Sequence, residues 1–175
     1  RRRSGFFDAL FMMPLGVAAV TLGFGYIITM NRGILDLRGS WLILVIAHSL
    51  IAYPFVIRSL LPVLRGMNPN LREVAAVLGA SPLNVFLHVD LPIVGRGMLV
   101  GATFAFAVSM GEFGASLLLV RPENTTMPVA IFRFLGLPGA SNLSMALGMS
   151  VLLMAVVAVG FIAIERFRYK GVGGF

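Results

Sequence analysis

The chain has no cysteine, one lysine, one tryptophan and seven acidic residues among 175. Without cysteine there is no disulfide, no thiolate nucleophile and no sulfur-ligated metal. The lone lysine, Lys170, lies in the tail sequence Tyr-Lys-Gly, so no G-x-x-x-x-G-K-[ST] phosphate loop exists. A G-x-S-x-G elbow and an H-E-x-x-H pair are missing too, which argues against a membrane hydrolase or intramembrane protease. His48 and His88 are the only histidines, and neither has a cysteine or acidic cluster beside it that would complete a metal site. The expectation is a chain with no catalytic residues, no metal and no cofactor of its own.

Charge is as scarce as these reactive groups. Hydrophobic residues make up 58% and charged residues 12%, with a mean hydropathy of +0.95. That leaves too little polar surface to cover a water-soluble globule of this length, so the chain reads as an all-α integral membrane protein. The net charge of +7 does not indicate a nucleic-acid partner. Its basic residues sit at the ends of apolar runs, not in a stripe with interleaved aromatics.

Four stretches approach the roughly 20 apolar residues needed to cross a bilayer: about 6 to 30, 41 to 61, 95 to 120 and 143 to 164. The first carries Pro14 and Gly16, and the third is glycine-rich and expected to tilt or break near Gly111. A short loop at 31 to 40 and a turn-rich segment from Arg121 to Asn142 connect them. Phe132 and Phe134 in that segment suggest a short interfacial or re-entrant helix. Placing Arg1 to Arg3 inside also places Arg58, Arg65, Arg72, Arg96, Arg166, Arg168 and Lys170 inside. Only Arg32, Arg38, Arg121 and Arg133 then fall outside, a positive-inside bias.

The most specific pattern lies between the second and third stretches, in a polar-edged loop at 66 to 94. Asn68 and Pro69 suit a helix start, and Gly79 suits its end. Leu71, Val74, Ala75 and Leu78 fall at i, i+3, i+4 and i+7, forming one apolar face. Ser81 before Pro82 repeats the start signal for a second short helix through Phe86 and His88, expected to stop before Pro92. Small residues at 75, 76, 79 and 80 would let a partner approach the backbone closely. The alternative is an ordinary amphipathic hairpin that packs only on its own bundle.

Glu73, Ala75, Gly79 six residues after the Glu, and then Val89, Leu91 and Pro92 resemble the cytoplasmic coupling loop of binding-protein-dependent ABC permeases, E-A-A-x3-G-x9-I-x-L-P. Val74 stands where the family has Ala, and Val89 where it has Ile. The resemblance implies the helix bundle of a type I ABC importer permease, with its amino-terminal helices missing from this chain. Glu73, Ala75, Ala76, Gly79, Ala80, Leu91 and Pro92 would be the residues that couple to the ATPase. It further implies ATP-Mg on a partner ATPase subunit, an extracytoplasmic solute-binding protein, and a second permease half or homodimer. The site would be the plasma or inner membrane, surrounded by lipid. Leu15 to Tyr26 and Ser109 to Leu119 resemble ferric-iron and thiamine permeases, with molybdate, tungstate and sulfate permeases as close relatives. A passive channel would share the apolar spans but has no use for a two-helix docking loop.

Glu112 is a carboxylate inside an apolar stretch, costly unless it faces a cavity or a partner. With Ser109 and Ser116 it reads as a polar lining of the translocation path or a gate. A second reading is an anchor at a helix break, bonded to freed backbone amides or paired with an arginine. Arg58 reads as a lipid-headgroup snorkel or an intersubunit ion-pair donor.

Overall fold

The computed structural model describes residues 10–29 and 40–170, and side chains as far as residue 166. Arg1 to Arg3, Arg32, Arg38, most of the loop at 31 to 40 and the outer ends of the first apolar stretch lie outside the described residues. So do the side chains of Arg168 and Lys170. Every regular element among the described residues is helical. Three helices among the described residues are long and apolar enough to cross a membrane: Leu42–Gly66, Pro82–Met110 and Ala140–Arg166. The most apolar window of the last has a mean hydropathy of 2.6 and none of it is buried. Exposed apolar surface on that scale is stable only against lipid or other helices, which makes the chain a polytopic membrane bundle.

The first apolar stretch is not one straight rod. Leu10–Gly16, closing in a 3-10 turn at Met13–Gly16, meets α1 (Ala19–Thr29) at 105°. Pro14 cannot donate to a continuing helix, and Val17 N–H turns back to the Pro14 carbonyl at 3.2 Å. α2 (Leu42–Gly66) holds Pro54 and Pro62 within its length, as membrane helices tolerate when neighbours cover the freed carbonyls.

The loop at 66 to 94 folds as α3 (Asn70–Val77), α4 (Pro82–Val85) and a π-helical turn (Phe86–Asp90) that runs directly into α5 (Leu91–Met110). The expected stop before Pro92 therefore does not occur. The wide turn, closed by Leu91 N–H to the Phe86 carbonyl, starts a new helical register. Pro92 falls in its first turn, where a missing N–H is least costly.

α5 ends at Met110, and a separate helix, α6 (Gly114–Leu119), follows after three residues. The stretch at 95 to 120 is thus two helices flanking Gly111, Glu112 and Phe113. Beyond a 3-10 turn at Pro122–Asn124 come α7 (Met127–Leu135) and α8 (Ala140–Lys170). The Phe132 ring of α7 lies against Phe113, centroids 5.2 Å apart.

α2 packs along α5, α1 against α6, and α8 against both α5 and α7. Small residues permit the α2–α5 approach: a Cβ on Gly101 would lie 3.1 Å from Val56 Cα, and one on Gly97 3.0 Å from Val63 Cγ2. Ile43, Ala47, Ala115 and Leu119 form a core between α2 and α6, flanked by Ala19, Tyr26, Ile27, Leu44 and Ile51.

The tightest approach of a glycine to another element's backbone is between α1 and α6, where a Cβ on Gly23 would stand 2.9 Å from Ala115 Cα. Backbone cannot yield as a side chain does. Gly23→Ala is expected to cost about 1–3 kcal/mol through overpacking. Gly25→Ala, with no described atom within 4 Å, serves as the neutral control. Thermal unfolding in detergent should rank the two variants in that order; equal melting would mean that α1 does not seat on α6.

Candidate functional site

Two features stand out, one at each end of α5. The first is the hairpin of α3 and α4. Asn68 Oδ1 accepts from Asn70 N–H at 3.0 Å at the entry to α3, whose first turn carries Glu73. α3 closes with Gly79 N–H on the Ala76 carbonyl and Ala80 N–H on the Ala75 carbonyl, both 3.0 Å, while Gly79 holds φ +81. This is a Schellman closure, and it requires a residue at ease in the left-handed region. Ala75, Ala76, Gly79 and Ala80 are therefore the residues whose backbone builds the bend. Ser81 Oγ then accepts from Asn84 N–H at 3.4 Å to open α4.

The apolar face read from the sequence is largely uncovered: Leu71, Val74 and Leu78 are exposed, as are the neighbouring Val77 and Leu83, with Val77 at 88% and Leu78 at 81%. Glu73, Ala76 and Gly79 are exposed beside them, Ala75 and Ala80 are half-buried, and Leu91 and Pro92 are exposed at the root of α5. Arg72 Nε donates to Asp90 Oδ1 at 2.8 Å, tying α3 to the π-helical turn. Sequence reading missed this pair because the two residues lie 18 positions apart. His88 is occupied locally, its Nδ1 donating to the Asn84 carbonyl at 3.0 Å. Arg58 is exposed on the side of α2.

The second feature is a polar node at the α5–α6 break. Glu112 is buried and accepts three hydrogen bonds: Ala115 N–H to Oε1 at 2.7 Å, Ser116 N–H to Oε2 at 2.9 Å and Ser116 Oγ to Oε2 at 2.7 Å. The carboxylate thus meets the free amides of α6. His48 of α2 completes the node, Nδ1 lying 2.8 Å from Ser109 Oγ and Nε2 2.9 Å from Ser116 Oγ. Nε2 is 3.7 Å from Glu112 Oε2. The structure therefore brings Ser109, Glu112 and Ser116 together, and His48 joins them, which no sequence signal suggested across 61 and 68 positions.

A pocket of about 370 Å³ adjoins this node, lined by Leu44, Val45, His48, Ser49, Ala52, Ala105, Ser109 and Thr126. Ser109 reaches its wall, whereas Ser116 is fully buried and Glu112 is sealed behind it. Among the described residues no group of three or more His, Cys, Asp or Glu could hold a metal ion.

No family model matches the chain. Among individual relatives, it is 30% identical over 169 residues to the molybdenum transport system permease protein ModB of Escherichia coli, covering 85% of this chain and 74% of that protein. The chain belongs to the ABC transporter permeases. This permease is also 29% identical over 161 residues to the putative 2-aminoethylphosphonate transport system permease protein PhnV of Salmonella typhimurium, covering 92% of this chain and 60% of that protein. A third relative is the probable sulfate transport system permease protein cysT of Nephroselmis olivacea, 30% identical over 182 residues, covering 94% of this chain and 62% of that protein. The chain thus spans about 60% of the length of the PhnV relatives.

The Arg72–Asp90 pair links α3 to the π-helical turn and adds little to global stability, since an exposed ion pair is worth about 1 kcal/mol or less. Asp90→Ala should raise hydrogen exchange at the amides of 74 to 80 with little change in melting. Exchanging the two residues, Arg72→Asp with Asp90→Arg, should restore protection. Undiminished protection in Asp90→Ala would show that the hairpin keeps its shape without the pair.

Proposed function

We propose that this permease forms part of the membrane path of an ATP-driven importer, and that the α3–α4 hairpin is where a cytoplasmic ATPase docks. The observation that carries this reading is the unpacked apolar tip at Val74, Val77, Leu78 and Leu83, held on a glycine-closed bend. A hairpin serving only its own bundle would bury that face. Glu73 beside it offers a charged contact, and the ATPase supplies ATP-Mg and the hydrolysis that this chain has no motif to perform. An extracytoplasmic binding protein delivers the solute, and a second permease half, the same chain or another, completes the path.

The orientation that suits this role has the hairpin and the end of α8 inside, with the 121 to 139 segment outside. Ten of the fourteen basic residues are then cytoplasmic. For cargo, the names of the relatives favour small oxyanions over the ferric iron or thiamine suggested by the Leu15–Tyr26 and Ser109–Leu119 resemblance. Driven by ATP, the two halves would alternate between inward- and outward-facing states, each ligand binding one state better than the other.

Gly79→Leu tests the docking reading. The new side chain meets a backbone at φ +81, which disfavours it by about 1–2 kcal/mol, and projects into open space where a partner would sit. The variant should insert normally and fail to co-purify with the ATPase. Recovery of the ATPase at wild-type yield would count against docking at this bend. Single cysteines at Asn68 and Asn124, in a chain that has none, report orientation by labelling with an impermeant thiol reagent. Position 124 should label in intact cells and position 68 should not.

A further inference from the structure

The pocket beside His48 has a property fixed by the direction of its hydrogen bonds. Ser116 Oγ lies 2.7 Å from Glu112 Oε2 and 2.9 Å from His48 Nε2. A hydroxyl has one proton to give. The carboxylate can only accept, so the Ser116 proton goes to Glu112, and the Ser116 oxygen must accept from His48. Nε2 therefore carries a hydrogen. In the neutral ring Nδ1 is then an acceptor, and it takes the proton of Ser109 at 2.8 Å. In this state Ser109 turns its lone pairs, not its proton, toward the pocket it lines.

Adding a proton to Nδ1 reverses that arrangement. Both ring nitrogens then donate, Ser109 accepts from Nδ1, and the Ser109 hydroxyl proton is free to point into the pocket. The ring gains a positive charge that Glu112, 3.7 Å from Nε2, compensates from behind. Thr126 adds a further donor, for it lines the same pocket and its buried Oγ1 has no hydrogen-bond partner among the described residues. Apart from His48, no acidic or basic side chain among the described residues lines the pocket. Among the ionisable groups described nearby, Tyr26 packs against the Ile43–Ala47 core, Arg121 accepts through its backbone carbonyl from Thr125 Oγ1 at 3.0 Å, and Arg133 donates to Thr125 Oγ1 at 3.1 Å, next to Thr126.

We propose that this pocket is a transient binding site for a small tetrahedral oxyanion, and that the anion binds together with one proton taken up by His48. The inference deepens the importer reading and rests on it. His48 lies about 9 Å, or six residues, from the start of α2. In the proposed orientation that is the extracytoplasmic end, where a binding protein releases its cargo. The proton neutralises part of the anion's charge in a site with no lysine or arginine, and its loss at higher pH weakens the site. Anion binding and proton binding must then promote one another by the same factor.

The test uses the full-length permease with its ATPase in detergent, and sulfate and molybdate as probes. Calorimetry in buffers of differing ionisation heat should find about one proton taken up per anion when His48 starts neutral, with affinity falling about tenfold per pH unit there. His48→Gln can still bridge Ser109 and Ser116 but cannot take the proton, so binding should be weak and independent of pH. Thr126→Val removes only the unpartnered hydroxyl and should weaken anion binding severalfold at unchanged melting temperature. Wild-type binding without proton uptake would overturn the proposal, as would unchanged affinity in both variants. So would failure of either anion to bind while ATP hydrolysis still responds to the binding protein, a result that leaves the importer reading intact. Loss of that response would instead count against the importer reading itself.

Discussion

The arrangement of this bundle depends on how one buried carboxylate is satisfied. Glu112 interrupts an apolar stretch, and a carboxylate in that setting is expensive unless strong donors surround it. The two amides of Ala115 and Ser116 and the Ser116 hydroxyl supply them, all within 2.9 Å. Those amides are free only because α5 stops at Met110 and α6 starts again at Gly114. The charge and the break are one feature: each makes the other affordable. The break lets α6 fold back against α1, where Gly23 and Ala115 meet backbone to backbone, and it sets Ser116 opposite His48.

The same helix joins this node to the hairpin. From Pro82 to Met110 the chain is helical for 29 residues, about 43 Å at the α-helical rise. The π-helical turn bends the local register without interrupting the rod, and the Arg72–Asp90 pair clamps α3 to that turn. In the proposed cycle a displacement at the hairpin is carried along α5 to Ser109, one residue from its end, where the pocket lies. α2 packs alongside through Gly97 and Gly101, so in that cycle the pair would move as a unit. α8, with its window wholly unburied, presents the surface that lipid or further helices cover.

The local features were legible in the sequence. Asn68, Gly79 and Ser81 each act on their immediate neighbours, and their caps fall where those residues predict. The break near Gly111 followed from glycine content, and α7 lies where Phe132 and Phe134 suggested a short helix. Readings that treated proline as a stop went astray: Pro92 sits inside a continuous helix because a π-helical turn absorbs its missing donor. Contacts between distant positions were not legible. His48 looked isolated because its partners come from α5 and α6, and Thr126 carries no pattern at all. The sequence leaves Glu112 two roles, and its bonds to α6 amides match the anchoring one, while Ser109 alone of its group reaches the pocket wall.

The central claim is that the charge of Glu112 holds the α5–α6 break, and the melting of Glu112→Gln in detergent tests it most directly. Glutamine keeps the shape but replaces one acceptor oxygen with an NH2 group that faces either Ala115 N–H or the two Ser116 donors. Hydrogen bonds to a charged group are worth about 1.5–3 kcal/mol each, so the variant should melt at a clearly lower temperature than the wild type. Amide exchange at Ala115 and Ser116 should rise with it. Unchanged melting and unchanged exchange would contradict the account, since the break would then hold without the charge.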